Sequence, residues 1–265
     1  MLTEVRQHLK LIWKFFKFNL SASMEYRASF ITQIIGMMVN NLSFIFFWWI
    51  IFNQTNSIAG YGFKDVMFLW SLCPACFGFA FIVFGNIRNL GNIIMKGELD
   101  AFLLQPKDVY INVLCSRTNI SAWGDFGYGI ILFIITFGIH PLRFLEFLIL
   151  TLLGGLLMGS VFATAETLTF FIGNSTFISN TVFEFIISFS LYPETIFKGW
   201  AKWVIYTLLP AGFIVFIPLK IFFRFDPVLL LILVAIDVLF VLFGYMLFRK
   251  GLKRYESGNM MTTKL

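Results

Sequence analysis

The stretch FITQIIGMMVNNLSFIFFWWIIF, Phe30 to Phe52, holds no charged side chain. A helix needs about 20 such residues to cross the hydrocarbon core of a bilayer. Asn40 and Asn41 stand near its middle. An amide at that depth is expected to bond to a neighbouring helix. Trp48 and Trp49, near its end, suit the far membrane interface.

The rest of the chain has the same character. It is 59% hydrophobic and 13% charged, with a mean hydropathy of +0.85. Soluble domains are about half apolar and a quarter charged. Thirty-six phenylalanines would demand a very large core in water. A bilayer removes that demand. Spanning backbone must satisfy its own hydrogen bonds, which leaves helices or a closed barrel. Barrel strands alternate polar and apolar residues, whereas these apolar runs are continuous, so the fold is an all-α integral membrane protein. The first apolar run starts late and is too long for a signal peptide's apolar region, so no cleavable leader is expected.

Six spans are expected, at about 28–52, 64–84, 119–139, 144–165, 176–197 and 228–248. Residues 1–27 are not one of them. Arg6, Lys10, Lys14 and Lys17 form a basic stripe beside an apolar one of Val5, Leu9, Ile12, Phe16 and Leu20, a pattern for a helix lying at the membrane surface on anionic lipid. Residues 85–117 form a polar segment between spans two and three. Residues 199–227 are apolar but broken by Pro210, Gly212 and Pro218. Proline ends or kinks helices, so this stretch reads as a pair of short helices dipping back into the membrane. Gly155 and Gly159, in GLLMG, offer a weak close-packing signal.

Charge sets the orientation. Residues 1–27, 85–117 and the C-terminal tail carry 5, 4 and 5 basic residues, 14 of the 20. Basic excess marks the cytoplasmic side, so both termini and the 85–117 segment face inward. Lys198, Lys202, Lys220 and Arg224 then lie outside, against the rule. The net charge of +6 thus reflects orientation, and nucleic acid is not an expected partner.

Little catalytic chemistry is visible. His8 and His140 are too few for a metal cluster. Cys73 and Cys76, in CPAC, fall mid-span, where cysteine behaves as a small hydrophobe. Three cysteines build no disulfide framework. No G-x-x-x-x-G-K-[ST] phosphate loop exists, so ATP hydrolysis by that route is excluded. Asp125, Glu166, Glu184 and Asp237 lie in or near apolar runs. Ionisable groups there are costly and often functional, as an ion path or a substrate charge. Interface placement or pairing within the protein would also account for them. An ion-coupled secondary transporter using these carboxylates is the alternative reading, but no convincing internal repeat supports it.

The segment GELDAFLLQP, Gly97 to Pro106, resembles the G-E-L-D-x-x-L-L-x-P segment between the second and third spans of ABC-2 type permeases, in the branch of small bacterial six-span permeases with separately encoded ATPases. YPETIF (Tyr192–Phe197) and LLPAGFIVFIP (Leu208–Pro218) resemble a second block of that family. The resemblance implies a membrane-spanning subunit of an ATP-binding-cassette transporter, most naturally an exporter of an amphipathic or lipid-like substrate, in the bacterial inner membrane. It implies a dimer with a like or paralogous permease. It also implies a cytoplasmic ATPase that binds ATP and Mg, while this chain holds no cofactor. Gly97, Glu98, Leu99, Asp100, Leu103, Leu104 and Pro106 would sit at or near the ATPase contact. Leu99, Phe102 and Leu103 share one helical face that could anchor there. Tyr192, Pro193, Pro210, Phe213 and Pro218 would shape an outer gate.

Overall fold

The computed structural model describes residues 2–256, and every helical element follows in simple order. α1 (Leu2–Ser23) meets α2 (Arg27–Phe52) at a 3₁₀ turn. α3 (Phe63–Val83) precedes three short helices, α4 (Leu90–Met95), α5 (Asp100–Leu103) and α6 (Val109–Cys115). α7 (Ser121–Phe137) and α8 (Pro141–Thr167) are joined by a tight turn. Gly138 takes a φ of 76° there, and Pro141 starts α8 with its fixed φ already helical. α9 (Thr169–Ile172) and α10 (Thr176–Ser190) follow. α11 (Trp200–Tyr206), a π turn at Gly212–Phe216 and α12 (Ile217–Phe223) make an irregular stretch before α13 (Pro227–Leu252). Asp226 caps α13, its Oδ1 accepting the Val228 amide at 2.8 Å.

The long helices pack in the order α2, α7, α3, α8, α13, with α10 and α12 laid against α8 and α3. α3 is the centre, and every residue from Val66 to Cys76 in it is buried. Missing side chains allow the close approach. A Cβ on Gly78 would lie 2.5 Å from the Phe126 nitrogen, and one on Gly124 would lie 2.6 Å from the Ile34 carbonyl oxygen. α2 and α13 are as apolar as α3 yet lie at the ends of the row. α2 buries only Asn41 and Trp48, and Ile31, Ile35, Val39, Phe46 and Phe47 are exposed. An apolar face of this extent is foreign to a soluble monomer and fits a bilayer.

Most expected span limits fall within about three residues of the helix ends. The fifth is the exception. It is expected at 176–197, but α10 stops at Ser190. Pro193 takes an extended ψ of 134° and a 3₁₀ turn, Glu194–Ile196, replaces the last helical turns. The proline and its restriction on the preceding residue end the helix. Residues 1–27, expected as a surface helix, hold α1 and the 3₁₀ turn that follows it. The docked face of α1 differs from the expected apolar stripe, because Leu9 is exposed while Asn19 is buried, its Nδ2 donating to the Cys115 carbonyl at 2.9 Å. In GLLMG only Gly155 is tight: a Cβ there would lie 2.8 Å from the Cys76 carbonyl oxygen. Gly159 has ordinary room, and the neighbouring Gly154 makes the second close approach, where a Cβ would lie 2.9 Å from the Ile214 carbonyl oxygen.

Candidate functional site

Three regions gather the functional candidates. The first is the 85–117 segment, at the Val83 end of α3. Asn86 closes its base, donating from Nδ2 to the Val113 carbonyl at 3.0 Å and to Ser116 Oγ at 2.7 Å. Gly97, at a φ of 74°, turns the chain between α4 and α5. Asp108 caps α6 by accepting the Ile111 amide at 3.0 Å, and its other oxygen accepts the Tyr245 phenol of α13 at 2.8 Å.

Within this segment the expected partner face is rearranged. Leu99 is fully buried in its own chain and Phe102 packs against the core. Leu99 offers no surface to a partner, and Phe102 is half-buried. Glu98, Leu103 and Pro106 are exposed, and Leu104 is 87% exposed. Asp100 is half-buried. Burial, and then the Asp100 carboxylate, pushes the Tyr255 phenol up to about 12.

Beside the Asp108–Tyr245 bond, further contacts join this segment to α8 and α10. The Gly91 amide donates to Glu166 Oε2 of α8 at 3.1 Å, and a Cβ on Gly91 would sit 2.6 Å from that oxygen. The Arg88 guanidinium stacks on the Phe183 ring of α10 at 3.6 Å. Burial lowers the Arg88 pKa, while Glu184 and Glu166 oppose that. Sequence reasoning passed over Arg88. Its position beside a helix that carries Glu184 was the available signal.

The second region lies at the opposite, Phe63 end of α3. Glu194 is buried, yet Lys220 Nζ is 2.8 Å from Oε2, Lys202 Nζ is 3.1 Å from Oε1, and the Tyr206 phenol donates to Oε1 at 2.9 Å. Burial raises the Glu194 pKa, but the bonds from Lys220, Tyr206 and Lys202 outweigh it and hold the group below the usual range. Burial and the Glu194 charge push Tyr61 up to about 12. The expected gate residues surround this cluster. Tyr192 rests on Trp48 with ring centroids 6.1 Å apart. Pro193 and Pro210 are buried, and Phe213 meets Tyr206 edge-on at 5.5 Å. Pro218 opens α12, whose Phe222 stacks on Phe68 at 4.5 Å. Glu194 itself was not singled out from sequence, although two unmatched lysines, Lys202 and Lys220, signalled that a carboxylate was needed.

The third region is the middle of the row. Asn41 Nδ2 donates to Asp125 Oδ1 at 2.7 Å, which joins α2 to α7 as the mid-span asparagine pair predicted. Asn40 is instead exposed. Asp125 lines a cavity of about 200 Å³ with Phe44, Trp70, Phe77 and Ile187 among its walls. Pro74 also lines it and has no amide to pair with the Trp70 carbonyl. Asp237 is buried in α13, and neither carboxyl oxygen has a hydrogen-bond partner. Glu184 is exposed on α10. No hydrogen bond joins any two of Asp125, Glu166, Glu184 and Asp237 among the described residues. Cys73 and Cys76 are buried and free.

A family model described as ABC-2 family transporter protein matches residues 36–259, a span that includes all three regions. No curated protein and no solved structure matches the chain.

Proposed function

We propose, from the premise that this chain belongs to the ABC-2 family of transporter proteins, that it is the permease subunit of an ATP-driven exporter whose ATPase is a separate cytoplasmic protein. The observation that carries this reading is the 85–117 segment. It presents an exposed tip of Glu98, Leu103, Leu104 and Pro106, and it is fastened behind that tip to α8 by Glu166, to α10 by Arg88 and to α13 by Asp108. A push on the tip is therefore delivered to three long helices at once.

Six crossings, by α2, α3, α7, α8, α10 and α13, put this segment, both termini and 14 of the 20 basic residues on the cytoplasmic side. α7 and α10, at 17 and 15 residues, extend only about 25 Å at 1.5 Å per residue. Both are short for a ~30 Å core, and their flanking turns complete the crossing. The 199–227 stretch then starts and ends on the outer side. Its Ile214 carbonyl reaches Gly154, mid-way along α8, which supports a re-entrant course. The Glu194 cluster clasps this stretch to the end of α10 and forms the outer gate with Tyr192, Pro193, Pro210, Phe213 and Pro218.

The transport cycle follows from these fastenings. Two copies, or this chain and a paralogue, form the pathway in the bacterial inner membrane. ATP and Mg bind the partner ATPases. Their closure moves the tip segments, tilts α8, α10 and α13, and opens the outer clasp. The substrate is amphipathic or lipid-like. The scattered placement of the four membrane carboxylates favours this ATP-driven reading over ion coupling.

The test is copurification with an ATPase encoded beside the permease. Glu98→Lys with Leu104→Asp is expected to strip the ATPase from a permease that still folds. Unaltered ATPase recovery and ATP-dependent transport by that variant would refute docking at the tip.

A further inference from the structure

The cavity beside Asp125 has features that a plain helix–helix contact does not need. Asn41 bonds to Oδ1, but Oδ2 is buried and has no hydrogen-bond partner among the described residues. Asp125 is only 3% exposed. A neutral amide would hold α2 to α7 equally well without placing a titratable group in an apolar span. Most of the other walls are aromatic or aliphatic, with Phe44 and Trp70 stacked at 4.9 Å. Among the described residues no Lys, Arg or His lines the cavity, and Asp125 is the one charged residue that does. Its remaining polar side chains are Asn40, Asn41, Trp70 and Cys73. A carboxylate without a counter-charge, walled by ring faces that attract cations, lacks a cation with an apolar body.

We propose that this cavity, between α2, α3, α7 and α10, binds the protonated amine head of an amphiphile, with Asp125 as counter-ion and Phe44, Trp70 and Phe77 as the wall. The inference rests on the transporter reading and gives its substrate a chemical class. Asn40 and Phe44, on the α2 side of the cavity, are exposed, so the chain of the amphiphile extends past them into lipid or toward a second permease while the ammonium occupies the cavity.

The test uses the full permease with its copurifying ATPase in neutral maltoside micelles. Dodecylamine at neutral pH is the probe and dodecanol, with the same tail and no charge, is the control. The expected result is a rise in the unfolding midpoint with dodecylamine that dodecanol does not match. Asp125→Asn should raise the half-maximal dodecylamine concentration at least tenfold, and Phe44→Ala several-fold. Equal protection by dodecanol, or an unchanged half-maximal concentration in Asp125→Asn, overturns the proposal. If Asp125→Asn does not fold, an unchanged value in Phe44→Ala, on the exposed flank of α2, overturns it instead. ATPase recovery is scored in the same preparation. ATPase bound without an Asp125-dependent amine effect sinks the site alone, whereas an amine effect without any ATPase sinks the transporter reading.

Discussion

Gly91→Ala sets two effects of opposite sign against each other. Alanine in the interior of a helix is favoured over glycine by about 1 kcal/mol, and Gly91 lies within α4 with an ordinary φ. On propensity alone the variant is more stable. The site says otherwise. The new methyl group would stand 2.6 Å from Glu166 Oε2 and 2.9 Å from Thr169 Oγ1. Glu166 is buried and must swing away, losing the 3.1 Å bond from the Gly91 amide. Leaving a buried polar group unsatisfied costs about 1–3 kcal/mol, and more when it is charged. With a loss of about 3 kcal/mol against a gain of about 1, the net cost is about 2 kcal/mol. For a chain of this size that lowers the unfolding midpoint by about 4–8 °C. Heat unfolding in neutral detergent measures it, with Glu166→Gln as a background in which the penalty shrinks because the amide carries no charge. In liposomes with the ATPase, transport per ATP should fall while ATPase binding persists, because the exposed tip is untouched. A midpoint that rises instead would show that propensity dominates and that the Gly91–Glu166 bond does not fasten the segment to α8.

Three further outcomes follow from the same structure. Leu104→Asp, at a side chain 87% exposed, should change stability by no more than about 0.5 kcal/mol yet reduce ATPase recovery on copurification. Asn41→Leu should cost about 1–3 kcal/mol by stranding Asp125, and the Asn41→Leu, Asp125→Leu pair should cost less than the single change, as a double-mutant cycle of unfolding midpoints would reveal. Glu194 has a lowered folded-state pKa, so its contribution is complete above the ordinary glutamate value of 4.5 and is lost as pH falls through the lowered one. Melts between pH 7 and 3.5 should therefore stay level down to about 4.5 and then decline more steeply in wild type than in Glu194→Gln. At neutral pH that variant should lose only about 1–2 kcal/mol, since Lys202 and Lys220 are each more than a third exposed and can turn to solvent.

The long apolar runs made the helices legible, because length and continuity suffice to recognise a crossing. Asn41 was legible for a related reason: a mid-membrane amide must find a partner. Its identity, Asp125, was not, since which helices touch depends on glycines such as Gly78 and Gly124 at close crossings far apart in sequence. Pro193 is in plain view, and the polar Glu194 and Thr195 follow it, yet the expected fifth span runs past them to Phe197. In the 97–106 segment, periodicity misjudged which faces are exposed. Leu99 obeys the pattern of an exposed anchor but folds inward under α4, because the Glu98 amide returns to the Ile93 carbonyl at 3.0 Å and turns the chain back on itself. Glu194 was missed because its three partners come from α11 and α12, elements too short and irregular to show periodicity.

The bond between Asn19 and the Cys115 carbonyl makes α1 more than an anchor. It fastens α1 to α6, on the far side of which Asp108 holds α13. In the proposed orientation α1 lies at the membrane surface, where its exposed Trp13 and Phe18 meet lipid, while Lys10 and Lys14 line a groove shared with Pro106 and Asp108. The docking tip is then suspended at a height set by the bilayer surface itself. A thinner membrane, or one poor in anionic lipid, would shift the platform on which the ATPase pushes, so the lipid becomes a working part of the lever.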